Sequence, residues 1–367
     1  MSHLFRTTAL LLGAGGLLLS ASTAASAQDL TPKYSNEFLN VGVGARALGM
    51  GKVQVSLAQD ATAGYWNPAG LLSQKTKYDA VLMHSELFSG IVKNDYAAFS
   101  MPLDDKSAIG ISAVRVGVDD IADTRDLINE FGYIDYTKIR YFSVSDYALL
   151  LSYARKLGNV EGLKVGANAK IIYRNIGSFA NAWGFGIDAG VQYDKGNWRL
   201  GLMARDITTT YNSWAINADE LRPTPGAPAD EIPTNRTEIT LPTFVLGAGR
   251  LVKLPGEFTA LAAIDLEITT DGQRNTLVSS KAVSIDPRAG LEIGYRNLAF
   301  LRGGVSNVQQ IQSFTGSEEW KVQPSLGVGV ALSGLRLDVA LSQLAIEKLG
   351  GRSQTNNIIV SLGYGIK

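Results

Sequence analysis

The chain has no cysteine, only two histidines and no net charge. Past its first 27 residues it also has no apolar run of the length a membrane helix needs. Each shortage excludes something. Without cysteine there is no disulfide, no thiolate metal ligand and no cysteine nucleophile. A formal charge of zero, from 34 basic and 34 acidic residues, removes the electrostatic reason to expect a nucleic-acid partner. A helical span takes about 20 consecutive apolar residues, so a helical membrane protein is not expected. His3 belongs to the leader, which leaves His84 as the one histidine for chemistry. A Ser-His triad would have to use it, and a zinc site would lack a second nitrogen or any sulfur ligand. His84 reads instead as a structural or luminal side chain of the first strand. No enzymatic constellation remains, and no cofactor or metal is expected.

What is present begins with a leader. Arg6, the apolar stretch Ala9–Leu19 and the small residues Ala25-Ser26-Ala27 form the three regions of a secretory signal peptide over residues 1–27. Cleavage before Gln28 is expected, and with no cysteine there the chain is not read as a lipoprotein.

From Tyr78 onward the dominant period is two. Over Ala182–Lys195, Trp183, Phe185, Ile187, Ala189, Val191 and Tyr193 share one face. Gly184, Gly186, Asp188, Gly190, Gln192 and Asp194 share the other. Alternation with aromatics at both ends of the apolar face is the pattern of a lipid-facing strand. Runs past ten residues exceed the five or six usual in a soluble sandwich. The periodicity therefore predicts an all-β transmembrane outer-membrane barrel of about 14 antiparallel strands over residues 78–367. Connections after even-numbered strands are short, such as Lys195–Asn197 and Ser333-Gly334. Those after odd-numbered strands are mostly longer: Asp119–Val144, Thr209–Leu241, Asp271–Ile285 and Asn307–Glu319. That alternation is expected of a barrel with periplasmic termini in the outer membrane of a Gram-negative (diderm) bacterium.

Loop Thr209–Leu241 carries Pro223, Pro225, Pro228 and Pro233 and reads either as a solvated loop or as a binding element. Its apolar residues Tyr211, Trp214 and Ile216 are the candidates for outer-loop binding. The acidic run Asp119, Asp120, Asp123 and Asp126 reads as solvated, since it lacks the spacing of a calcium loop. Inward positions carry both signs of charge. Lys164, Lys170, Arg174, Asp188, Asp265 and Glu292 are candidate luminal charge pairs, and Arg115 and Arg296 are assigned inward with them. Pro102 and Pro324 are candidate strand kinks or strand ends.

Between leader and strands, residues 28–77 have a different character. From Asn36 to Leu71 the sequence is rich in Gly and Ala and holds four charged residues, Glu37, Arg46, Lys52 and Asp60. It ends in the turn former Asn67-Pro68-Ala69-Gly70. Glycine-dense, charge-poor backbone ahead of many strands predicts a luminal plug. Arg46, Gly49, Gly51, Asn67, Pro68 and Gly70 are its motif residues, with a structural or gating role, and Glu292 is the natural wall partner for Arg46. Gly42-Val43-Gly44 is no dinucleotide loop, because Ala47 stands at the third glycine position and no parallel βαβ unit precedes it.

The order Phe38-Leu39-Asn40, Gly42, Gly44, Ala45 through Gly51, Ala58, Asp60-Ala61 and Asn67 through Leu71 resembles the N-terminal signature of the PorV/PorQ family, within the wider FadL-like group of barrels. The resemblance continues at Leu241-Pro242-Thr243 and through the C-terminal strands. It implies a component of type IX secretion that binds or shuttles cargo proteins at the cell surface. Partners would then be outer-membrane lipid, type IX cargo proteins and a surface sortase. The FadL-like alternative is a transporter of hydrophobic small molecules across the outer membrane, with a hydrophobic ligand as partner.

Overall fold

A computed structural model describes residues 35–129, 131–158, 160–221, 236–312, 318–348 and 351–366. The expected leader and Pro223, Pro225, Pro228 and Pro233 lie outside them. Seventeen β-elements run in chain order. The first seven are β1 (Tyr78–Leu87), β2 (Val92–Pro102), β3 (Ser107–Asp123), β4 (Arg140–Lys156), β5 (Leu163–Ile176), β6 (Ala180–Lys195) and β7 (Trp198–Arg205). Then come β8 (Thr210–Ile216), β9 (Thr237–Thr240), β10 (Thr243–Lys253), β11 (Phe258–Thr269) and β12 (Val278–Ser279). The chain ends with β13 (Ser284–Tyr295), β14 (Ala299–Gln312), β15 (Glu318–Leu332), β16 (Leu335–Lys348) and β17 (Gly351–Ile366).

Fourteen of these elements make the wall, each antiparallel to the next, and β17 returns to pair with β1. Closure matters because hydrocarbon offers no partner to an unpaired backbone group, so a sheet crosses a membrane only without edges. The remaining three are additions. β8 and β9 continue β7 and β10 beyond interruptions at 206–209 and 241–242, and β12 lies against β13.

Parity holds along the strands as the period of two requires. On β6, Trp183, Phe185 and Ile187 are exposed while Asp188 and Gln192 are buried. Outward aromatics gather in two levels: Tyr147, Tyr173 and Trp183 toward one end, Phe258 with Tyr295 toward the other. Amphipathic rings favour the headgroup zone, and two such levels bracket the apolar band of an outer-membrane barrel.

The residues from Asn36 to Ser73 lie against the inward face of this wall. They form only short turns of helix: Glu37–Asn40, Ala45–Gly49, Ala63–Trp66 and Pro68–Ser73. Helices this short do not persist alone, so tertiary contact holds them. Val43, Leu48, Trp66 and Leu71 pack against Val81, Met83, Tyr96, Val114, Leu150 and Ile172 of the wall. Elsewhere the contact is backbone on backbone. Three cross-strand pairs of inward glycines, Gly166 with Gly190, Gly201 with Gly247 and Gly290 with Gly304, receive the segment. A Cβ at Gly166 would fall 2.5 Å from Ala69 N, at Gly201 2.6 Å from Val55 O and at Gly290 2.5 Å from Met50 O. No side chain fits there.

Several expectations need correction. Tyr211, Trp214 and Ile216 are not in a loop but on β8, whose residues pair with Ala180–Phe185 of β6. The neighbouring strand offers a ladder that an isolated loop reading cannot see. Arg115 points outward, in register with Asp95 and Tyr147, and Arg296 sits exposed in the β13–β14 turn paired with Glu257. His84 is on the outward face of β1, opposite the buried Met83 and Ser85. Of the two prolines read as kinks or strand ends, Pro102 does end β2, while Pro324 is neither and pairs with Val305 inside β15. The long outer connections are also shorter than expected, since β3 reaches Asp123 and β4 starts at Arg140.

Filling a glycine contact tests the seating of the segment. Gly290→Val drives methyl groups into Met50 O and should cost about 1–3 kcal/mol, the range for overpacking. The expected result is a barrel that still runs folded on unheated gels while its N-terminal segment becomes open to added protease.

Candidate functional site

The interior joins the N-terminal segment to the wall through charges. Arg46 faces Glu292 with two parallel hydrogen bonds, Nε to Oε2 at 2.8 Å and a terminal nitrogen to Oε1 at 3.0 Å. Glu292 also accepts from Arg302 Nε at 2.6 Å, and Arg302 reaches Asp338 at 2.6 Å. Cation and anion thus alternate from the segment across β13, β14 and β16. A bidentate guanidinium–carboxylate pair fixes geometry as well as charge. A second such pair joins Arg336 to Asp79 at 2.8 Å on both oxygens, and Asp79 Oδ1 also accepts the Ala61 N–H.

The other singled-out charges are inward as well. Lys170 lies between Asp188 at 3.0 Å and Asp206 at 2.6 Å, with all three buried. Lys164 pairs with Asp194 and Arg174 with Asp146. Asp265 meets no cation among the described residues; its Oδ2 accepts the Gln54 and Val55 N–H groups at 2.9 and 3.1 Å. Arg302 is among the inward charges read from the sequence, whereas Asp206 and Asp79 were not singled out. Parity places Asp79 inward, but Asp206 lies beyond the end of a strand, where parity is lost.

The motif residues share another job. Asn67 donates through Nδ2 to Val55 O at 3.0 Å, Val191 O at 3.0 Å and Leu202 O at 3.3 Å, and its Oδ1 accepts the Ala69 N–H. That last bond caps the turn that Pro68 opens, a position where the missing N–H costs nothing. Gly49 lies where a Cβ would come 3.0 Å from Gly327 Cα, and Gly51, at φ +66°, rests on Val305. Gly70 is pressed on Ala58 O.

Two features accompany this packing. A polar cavity of about 350 Å³ is lined by Glu37, Lys52, Glu267, Arg274, Asp286 and Arg288 among others. Burial on its own would lower the Arg274 guanidinium, but pairs with Asp271 and Glu37 raise it and keep it charged. The second feature is the coincident break in two adjacent strands, across which Ile207 N still donates to Ile187 O at 2.9 Å. Thr209, a β-branched residue, takes φ 61° where β7 gives way to β8, and Pro242 can donate no ladder bond where β9 gives way to β10. A cavity of about 30 Å³ lies behind it, lined by Asn36, Leu39, Lys170, Arg205, Asp206 and Leu241. Asn36 closes that spot, donating to Thr240 Oγ1 at 2.7 Å and accepting from Asn212 at 2.9 Å.

Solved structures share this architecture. The CymD monoaromatic hydrocarbon channel superimposes with a TM-score of 0.56 at 13% identity, covering 88% of this chain and 97% of its own. The Pseudomonas putida toluene transporter TodX gives 0.55 at 14%, covering 88% and 97%. The Ralstonia pickettii toluene transporter TbuX gives 0.52 at 13%, covering 89% and 99%. The chain shares the fold of these outer-membrane barrels. No family model and no curated protein matches the sequence. The shared fold covers 88–89% of this chain.

Removing one partner of the central pair should expose its cost. Glu292→Gln leaves Arg46 and Arg302 without their shared anion, and an uncompensated buried charge costs about 3–5 kcal/mol. The expected outcome is a lower unfolding temperature for the N-terminal segment and a rise in single-channel conductance in planar bilayers, with Glu292→Asp recovering part of each.

Proposed function

We propose that this barrel passes a hydrophobic small molecule across the outer membrane, entering or leaving sideways through the break between β7–β8 and β9–β10 rather than along the axis. The observation that carries the reading is that coincident break, with the small cavity and the Asn36 contacts directly behind it. The interior holds Arg46–Glu292–Arg302–Asp338 and Lys170 with its two carboxylates, and the cavity of about 350 Å³ inside the wall is lined by charges. An apolar solute has no apolar route through such a lumen, and a wall opening to lipid supplies one. The fold neighbours are named for toluene and monoaromatic hydrocarbons, which points to the same class of solute. In this reading residues 28–77 are the plug, seated by Arg46, Gly49, Gly51, Asn67, Pro68 and Gly70, and the chain performs no catalysis.

A second reading follows the PorV/PorQ resemblance: a closed barrel that binds or shuttles type IX cargo at the surface. A specific observation favours it. In the β3–β4 connection Phe131, Tyr133 and Tyr136 are 83%, 72% and 72% exposed, an apolar outer surface suited to a protein partner. Tyr211, exposed on β8, would adjoin an outer-rim site; Trp214, whose ring lies over Arg174, would not.

Gentle detergent extraction from the native outer membrane, followed by mass spectrometry of what accompanies the barrel, separates the two. A bound lipophile with no protein is the expected result for the transporter. Exported proteins sharing a C-terminal β-domain, with no bound lipophile, would sink it in favour of the cargo reading.

A further inference from the structure

At the end of the wall that carries the short turns, the sheet has a step. The β6–β7 turn closes at Gly196-Asn197, and Trp198 pairs at once with Lys195 on one side and Arg250 on the other. Leu251 N donates to Asn197 O at 3.0 Å, and there β10 runs past its neighbour. The β10–β11 hairpin continues without it as far as the pair Lys253 and Thr259. In this corner, on the outward face, lies an open recess of about 580 Å³ lined by Tyr193, Lys195, Trp198, Leu200, Arg250 and the turn itself.

The charge in the recess is of one sign. Outward positions on β10 read Phe244, Leu246, Ala248, Arg250 and Val252, so Arg250 is the single charge among them. Its guanidinium lies 5.1 Å from the centre of the Trp198 ring, and neither it nor the Lys195 ammonium has an ion pair or hydrogen bond among the described residues. No carboxylate lines the recess, and the adjacent Asp194 pairs with Lys164. Other cations at this end of the wall are served: Arg296 is met by Glu257, and Lys156 donates to Asp105 O at 2.7 Å. A cation on a lipid-facing surface is costly without a counter-charge. Cation–π attraction to the indole holds the guanidinium in place and leaves its N–H donors unused.

We propose that this recess seats one phospholipid of the inner leaflet, its phosphodiester held by Arg250 and Lys195 and the upper part of its acyl chains lying on Tyr193 and Leu200. Charge, depth and shape select the occupant together. Two cations without an acid call for an anion, and a guanidinium fork matches phosphate oxygens. The level of a short turn, flanked by the amphipathic rings of Tyr193 and Trp198, is the headgroup zone, where phosphodiesters are the anions in supply. Free phosphate would satisfy the cations and leave the apolar side of the recess bare. The site lies on the two strands that carry the wall break, at their opposite end, and holds under either reading of function.

Native mass spectrometry of the delipidated barrel, incubated in neutral detergent with dioleoylphosphatidylglycerol, tests it. One phospholipid per barrel is expected to stay bound as detergent is stripped. Arg250→Gln should weaken that binding by about tenfold, the effect of losing hydrogen bonds to a charged group, and Lys195→Gln by less. Arg296→Gln, at an arginine that already has its carboxylate, should leave it unchanged. Unheated gel mobility verifies that each variant is folded. Dioleoylglycerol, with the same acyl chains and no phosphate, should not be retained. No retained phospholipid, equal retention of dioleoylglycerol, displacement by inorganic phosphate, or binding indifferent to Arg250→Gln would each overturn the proposal.

Discussion

A carboxylate enclosed at Glu292 must be met by cations, and it is met from two sides: Arg46 from the N-terminal segment and Arg302 from the wall. Much else follows from that requirement. Inward side chains of a barrel this wide cannot all be apolar without leaving the segment's own polar backbone unsatisfied. Once they are polar, each charge has to find an opposite charge or an N–H within the same enclosure. Lys170 with Asp188 and Asp206, Arg336 with Asp79, and Asp265 with the backbone of Gln54 and Val55 are local answers to one constraint. Together they join a segment with little secondary structure of its own to strands that have a great deal.

The charges set position, and the glycine pairs set depth. Where Gly166 and Gly190, Gly201 and Gly247, or Gly290 and Gly304 face inward, segment and wall meet without intervening side chains. Between those contacts, Asn67 binds two wall carbonyls directly, on β6 and β7. The interior is thus arranged as a few points of close approach separated by ion-paired gaps. The charged cavity near Arg274 and Arg288 is the largest such gap described, and the one behind Asn36 is a small neighbour of the wall break.

Much of the wall could be read from the sequence because parity is a local property. On β6 every outward residue named from alternation is outward in the structure, and the two-residue turns at Gly196-Asn197 and Ser333-Gly334 end their strands where expected. Errors gather where parity meets something nonlocal. Tyr211, Trp214 and Ile216 looked like loop because the interruption at 206–209 hides that β8 resumes the ladder on β6. Arg115 was assigned inward and His84 read as structural or luminal, whereas the alternation of their own strands places both outward. The proline that marks a wall break is Pro242, between β9 and β10, not Pro102 or Pro324. Which charges pair across the interior depends on the shear of the closed sheet, which no single strand records.

The outward register of Arg115, Asp95 and His84 also gives this cylinder a compass. A barrel with a uniform apolar belt has no preferred heading in the plane of the membrane and spins freely about its normal. Here β2, at the centre of the polar sector, and β7, where the wall is interrupted, stand five strands apart in a ring of fourteen, more than a third of the circumference. The belt of this barrel is instead uneven around its circumference, with the polar sector and the interrupted sector facing different directions in the bilayer. Heading, and not depth or tilt alone, becomes a coordinate that the amino-acid sequence specifies.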